Sequence, residues 1–306
     1  ERWPSLVALF ESLLSKVKSE GPVGVSLVQA QDPESLSALA AAEEEGFARP
    51  FLVGDRADIE KVLEESRISF RDPVFVDASD QEESVRAGVS LVRDGSCGIL
   101  MKGKVPTPTL LRAVLDKEKG LRKGSLMSHV ACLEVPGYDR FIFVTDGGVN
   151  LMPDLDKKVE IAKNAIAVAK MMGVRTPRLA CLGPTEVPTL DSDASVHGAI
   201  LAKMADRGAF PGAYVDGPMA LDVAVSAESA SIKGVGGEVA GKADILLAPD
   251  LVSGNSVAKS MQYFAKAVLA GVIVGASAPL VVISRADTKP SKLYSLAMAR
   301  ILITRT

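Results

Sequence analysis

The chain has 306 residues, 47% hydrophobic and only 5% aromatic, so it can bury about two domain cores and is too apolar to be disordered. A formal net charge of −3 and a pI near 5.6 exclude a general nucleic-acid binder, which needs a basic face to displace counterions, but leave room for a local basic cleft. Three cysteines, Cys97, Cys132 and Cys181, lie far apart and frame neither a disulfide scaffold nor a metal-ligand motif, so a reducing cytoplasm is the simpler setting.

The N-terminal ERWPSLVALFESLLSKVKSEG has charges at both ends and apolar residues at helical spacing. It reads as an amphipathic helix rather than a secretory signal. From Val23 onward, short apolar runs alternate with longer amphipathic segments. VGVSLV, PFLVG, PVFVDA, CGILMKG and MSHVACLEV read as strands. Between them DPESLSALAAAEEEG, DIEKVLEESR, DQEESVRAGVSLVRDG and PTLLRAVLDKEKG read as helices. Asp32-Pro33 marks one helix start and Gly46 its stop.

RFIFVTD then precedes a helix expected over 154–172 and ended by Gly173. RLACLG, AYVDG and ADILLAPD continue the strands, with a helix around SVHGAILAKMADRG and a short one near MALDVAV. A helix through SGNSVAKSMQYFAKAVLAG leads to the last strands, and TKPSKLYSLAMARILIT closes the chain as a helix. The uncharged AVLAGVIVGASAPLVVIS, residues 267–284, just reaches the length of a membrane span. Gly271, Gly275 and Pro279 punctuate it, so two buried strands, GVIVGA and PLVVIS, are expected instead. Strands separated by helices imply parallel pairing and an α/β fold with mainly parallel sheets.

Two stretches bear on phosphate. GGEVAGKA, around Gly237, is one hydroxyl short of a P-loop, but a P-loop follows a strand and opens a helix. Here Lys242 and Ala243 lead into the strand ADILLAPD, so a glycine-rich loop feeding a buried strand is the favoured reading. The better candidate is the end of APLVVISRADTKPSKLYSLAMAR, where Ser284 and Arg285 follow a buried strand and precede a helix starting near Thr288. Ligands of open α/β sheets bind beyond the carboxyl ends of strands, and a hydroxyl, a guanidinium and a helix N-terminus each suit an oxyanion. The alternative is a surface turn in which Arg285 pairs with Asp287.

LMKGKVPTPTLLRAVL, GLRKGSLMSHVA, KMADRGAFPGAYVDGPMALDVAVS, GGEVAGKADILLAPDLVSGN and APLVVISRAD together resemble the phosphate acetyltransferase and phosphate butyryltransferase family, over about Val23 to Ala299. SLMSHVA, VDGPMALD and SRADT lean toward the butyryltransferase branch. The resemblance implies reversible acyl transfer between coenzyme A and phosphate. It also implies a two-domain fold like the isocitrate and isopropylmalate dehydrogenases, with an interdomain cleft. Domain I would then hold residues 1–138 and 274–306, and domain II residues 139–273.

The resemblance assigns Ser284 and Arg285 to transition-state stabilisation and phosphate. Arg112, in TLLRAVL, falls where the acetyltransferases carry a substrate-binding arginine, with an exposed helix arginine as the alternative. Six residues beyond Arg285 the acetyltransferases place a catalytic aspartate, and here Ser291 stands there, expected on the substrate side. Asp287 is the nearest carboxylate, read either as the base or as a helix-capping or Arg-pairing group. Asn255, in DLVSGNS, opens a helix that could approach an anion, though Asn and Ser are ordinary caps.

Asp146 and two glycines in TDGGVN suit either a cleft loop or a plain turn. His129 and His197 are the only histidines, and neither has a second candidate ligand close in sequence, so no metal site is expected. His129 reads as a core histidine before a catalytic one.

The expected cofactor set is empty, with acyl-CoA and phosphate as substrates, and no nucleic-acid or membrane partner. A cytoplasmic homo-oligomer is expected. Two rival readings remain: a metal- and nicotinamide-dependent decarboxylating dehydrogenase of the same fold, or a non-catalytic acyl-CoA-binding domain.

Overall fold

The structure is a computed structural model and describes residues 9–282 and 287–303. The described chain packs as two compact units, one formed by Leu126–Leu269 and the other by the described residues up to Ser125 joined by those from Ala270. By packing, the first division of the chain falls at 125/126. The cause is β5 (Ser128–Glu134), which pairs antiparallel with β6 (Ile142–Thr145) and so belongs to the middle unit.

The unit built from both ends of the chain begins with α1 (Leu9–Lys18) and β1 (Val23–Val28). It continues through α2 (Pro33–Glu44), β2 (Ala48–Gly54), α3 (Arg56–Ser66), β3 (Val74–Asp77), α4 (Gln81–Arg93), β4 (Ile99–Lys102) and α5 (Thr107–Val114). The returning chain adds β10 (Val268–Val274), β11 (Leu280–Val281) and α11 (Lys289–Ile303). The strands run in the order β3-β2-β1-β4-β11-β10, all parallel except the β10–β11 pair.

Helix starts follow the caps written in the sequence. Asp32 accepts the Ser35 N–H at 3.0 Å with Pro33 at the first helical position, and Asp80 accepts the Glu83 N–H at 2.8 Å. α4 can lie close on β1 because Gly88 has no side chain: a Cβ there would meet Val28 Cγ2 at 2.3 Å. The buried Ser26 hydroxyl also donates to the Gly88 carbonyl at 3.1 Å.

Polar and aromatic contacts tie α11 to the first helices. Lys292, 1% exposed, bonds Glu34 at 2.8 Å, and Tyr294 stacks on Phe10 with ring centroids 4.7 Å apart. Arg300 donates to the Gly21 and Glu20 carbonyls at 3.1 and 2.7 Å.

The middle unit adds α6 (Leu155–Met171), β7 (Arg178–Leu182), α7 (Asp193–Asp206), β8 (Tyr214–Met219), α8 (Leu221–Val225), α9 (Ala227–Ile232), β9 (Ile245–Leu247) and α10 (Leu251–Tyr263). Its strands run β5-β6-β9-β7-β8, and after the β5–β6 hairpin every pair is parallel. Leu133, Val144, Leu246, Met219 and Val223 fill the core between sheet and helices. Asp244 closes the start of β9, accepting the Arg178 N–H at 2.9 Å between the guanidinium groups of Arg140 and Arg178.

Two helices are shorter than expected. The one read through residues 253–271 ends at Tyr263, because Lys266 takes a left-handed conformation (φ 58°) and Val268 already belongs to β10. The one read over 108–120 stops at Val114, where Asp116 Oδ1 accepts the N–H groups of Glu118 and Lys119 and turns the chain. GVIVGA falls largely in β10 and the described part of PLVVIS holds β11, and no helix among the described residues is long and apolar enough to cross a membrane.

Candidate active site

Ser284 and Arg285 lie outside the described residues. Just beyond them α11 begins at Lys289, and Thr288 is its cap, its Oγ1 accepting the Ser291 N–H at 3.4 Å. Asp287 stands one residue before Thr288. Ser291 is 2% exposed in the first turn, its hydroxyl receiving that of Thr288 at 3.0 Å and its carbonyl that of Ser295 at 2.7 Å. Arg112 lies in the last turn of α5, exposed and with no ion pair among the described residues.

The glycine loop after β6 is built by Asp146, which is 2% exposed. Its Oδ1 accepts the N–H groups of Gly148 and Val149 at 2.8 and 3.0 Å. Its Oδ2 accepts the Asn150 N–H at 3.1 Å and the Asn150 amide at 2.6 Å. With both oxygens so occupied, the carboxylate shapes the loop, and the plain-turn reading understates it.

The glycines let α10 and β5 approach this loop. A Cβ on Gly254 would meet the Asp146 carbonyl oxygen at 2.6 Å, and one on Gly148 would meet His129 Cγ at 3.0 Å. Asn255 is not a cap. Asp250 caps α10 through the Ser253 N–H at 2.9 Å, while the Asn255 amide donates to the Gly147 carbonyl at 3.2 Å.

Beyond the carboxyl ends of β6, β7 and β9 the middle unit opens a cavity of about 750 Å³. Open parallel sheets bind ligands at this edge. Met152, Leu182, Pro184, Leu221 and Pro249 give it apolar walls, and the starts of α6, α7 and α10 surround it. Its polar floor was missed in the sequence. Lys158, 4% exposed, places Nζ 3.1 Å from His197 Nδ1 and makes no ion pair with a carboxylate among the described residues.

Burial pushes the Lys158 ammonium below its ordinary value, although the carboxylates of Asp193, Asp250 and Asp154 pull the other way. Burial, aided by the Lys158 charge, also lowers His197. The two side chains are 39 positions apart and come from separate helices, so no local motif announces them.

The fold is thus that of an α/β protein with mostly parallel strands and a ligand-sized cavity at their carboxyl edge. The family model described as "Phosphate acetyl/butaryl transferase" matches residues 79–300, and the chain belongs to that family. It is 42% identical to the phosphate butyryltransferase of Clostridium beijerinckii, over 97% of this chain and 98% of that one. It is 36% identical to the phosphate acetyltransferase of Rhizobium meliloti, over 99% of this chain and 96% of that protein. A crystal structure of a branched-chain phosphotransacylase from Enterococcus faecalis superposes with a TM-score of 0.80 at 31% identity, covering 92% of this chain and 99% of that one.

Proposed function

We propose that the protein moves a short acyl group reversibly between coenzyme A and inorganic phosphate, by direct transfer within a ternary complex. The observation that carries this is the near-full-length likeness to phosphate butyryltransferase, ahead of phosphate acetyltransferase in identity. Toward the thioester, the CoA thiol loses its proton and its sulfur attacks the acyl phosphate carbonyl. The C–S bond forms, the C–O bond to phosphate breaks, and phosphate leaves with the electron pair.

A thiol is mostly protonated at neutral pH, so a base or a nearby positive charge assists. In this reading Ser284 hydrogen-bonds the developing oxyanion and Arg285 offsets phosphate charge. Asp287 is the base, with Arg112, Ser291 and Asn255 on the substrate side. The dehydrogenase-like two-domain arrangement belongs to the same reading, supported by a chain that leaves one α/β unit, builds another and returns. So do a cytoplasmic setting, a homo-oligomer, and chemistry that needs only the two substrates.

Incubation with butyryl-CoA and phosphate, followed by hydroxylamine, should yield butyryl hydroxamate from trapped butyryl phosphate. CoA release with no more hydroxamate than a phosphate-free control gives would reject acyl transfer to phosphate. Reduction of a nicotinamide cofactor by hydroxy acids would instead favour the dehydrogenase reading.

A further inference from the structure

We propose that Lys158 is a site of covalent acylation: its amine, at the floor of the cavity beyond β6, β7 and β9, takes the acyl group of an acyl phosphate. The inference rests on the proposed reaction only for the source of the reagent, since that reaction has an acyl phosphate as substrate or product.

Three observations converge. First, Lys158 is 4% exposed yet lines a cavity of about 750 Å³, so its amine is sheltered from bulk water but reachable by a small molecule. Second, it has no carboxylate partner among the described residues. Its neighbour Lys157 shows the contrast, half exposed and paired with Asp154 at 3.4 Å. Third, its hydrogen-bond partner can take a proton: with Lys158 donating, His197 Nδ1 accepts and the ring proton sits on Nε2. Burial favours the neutral amine, the nucleophilic form, and lowers the histidine too, which keeps the ring neutral and able to accept.

The apolar part of the wall suits the acyl chain, while the carboxylates of Asp154, Asp193 and Asp250 also line the cavity. Leu182, Leu221 and Pro249 offer apolar surface to a short acyl chain.

The step balances. Neutral Nζ attacks the carbonyl carbon and a C–N bond forms. The C–O bond to phosphorus breaks, and phosphate departs with its electron pair. The extra proton on nitrogen passes to His197 Nδ1 and then to water. The product is an amide with no charge.

The test is site-resolved mass spectrometry of the full chain after incubation with synthetic butyryl phosphate, with Lys157 as the internal reference. We expect Lys158 to be butyrylated severalfold faster than Lys157, and His197→Gln to slow labelling at Lys158 without changing it at Lys157. Lys158→Arg should remove the label while the neighbouring lysines keep theirs. Equal or slower labelling at Lys158 than at Lys157 in the parent protein would overturn the proposal, as would an unchanged Lys158 rate in His197→Gln.

Phosphate-dependent CoA release is measured on the same preparation. Release without Lys158 labelling would sink the modification and leave the acyltransferase reading standing. Labelling without release would uphold the modification and sink that reading.

Discussion

Thr288 and Ser291 close the first turn of α11 on each other: the Thr288 oxygen accepts the Ser291 N–H at 3.4 Å, and its hydroxyl reaches the Ser291 hydroxyl at 3.0 Å. Thr288 therefore supplies a cap one residue beyond Asp287. This separates two roles that share one short stretch of sequence.

Thr288→Ala should lower stability by about 1 kcal/mol, the usual cost of a lost helix cap. Asp287→Asn should instead lower the rate by about 10²- to 10⁴-fold while sparing substrate binding, the range for a lost general base. The loss should shrink at high pH, where the thiol is already ionised. Melting temperature and a pH–rate profile decide. A less stable Asp287→Asn variant with near-normal rate would make the residue structural.

Arg285→Ala should cut phosphate use by about 30- to 1000-fold, equivalent to about 2–4 kcal/mol of transition-state stabilisation. Its melting temperature should stay near that of the parent. Steady-state kinetics at varied phosphate checks this, and unchanged kinetics would place phosphate elsewhere.

The loop after β6 should depend on Asp146 and on the missing side chain of Gly254. Asp146→Ala leaves buried N–H groups unpartnered and should cost about 2–4 kcal/mol. Gly254→Ala forces a Cβ to 2.6 Å from the Asp146 carbonyl oxygen, and the overpacking should cost about 1–3 kcal/mol. Denaturant unfolding measures both. An undisturbed Gly254→Ala variant would mean that α10 is free to shift.

Lys158 makes a pH prediction with a definite sign. Burial holds its folded-state value below the 10.5 of an unperturbed lysine, against the pull of the Asp193, Asp250 and Asp154 carboxylates. Between the two values the unfolded chain binds more protons, so stability rises with pH in that window. Relative to Lys158→Met, the parent should therefore gain stability as pH is raised from neutral toward 10.5. Melting curves of the two proteins across that range test it, and a parent that loses ground would reverse the sign.

Much of the α/β pattern was legible in the sequence because its signals are local. Asp32, Asp80, Asp154 and Asp250 each accept an N–H three residues on, and most strands between are short, largely apolar runs. The end of α10 was not legible, since the apolar run after Tyr263 suits helix and strand alike and only the left-handed Lys266 divides them. Asp146 could be seen as a loop residue, but not as the acceptor of four hydrogen bonds. Lys158 and His197 sit on amphipathic helices with nothing local to mark them, and only the packing of α6 and α7 brings them to 3.1 Å.

The central claim is acyl transfer to phosphate, and the most direct measurement is release of CoA thiol from butyryl-CoA with and without phosphate. Thiol release should appear only when phosphate, or arsenate in its place, is supplied, and should saturate with its concentration. Release at the same rate without either anion would identify a thioesterase and contradict the account.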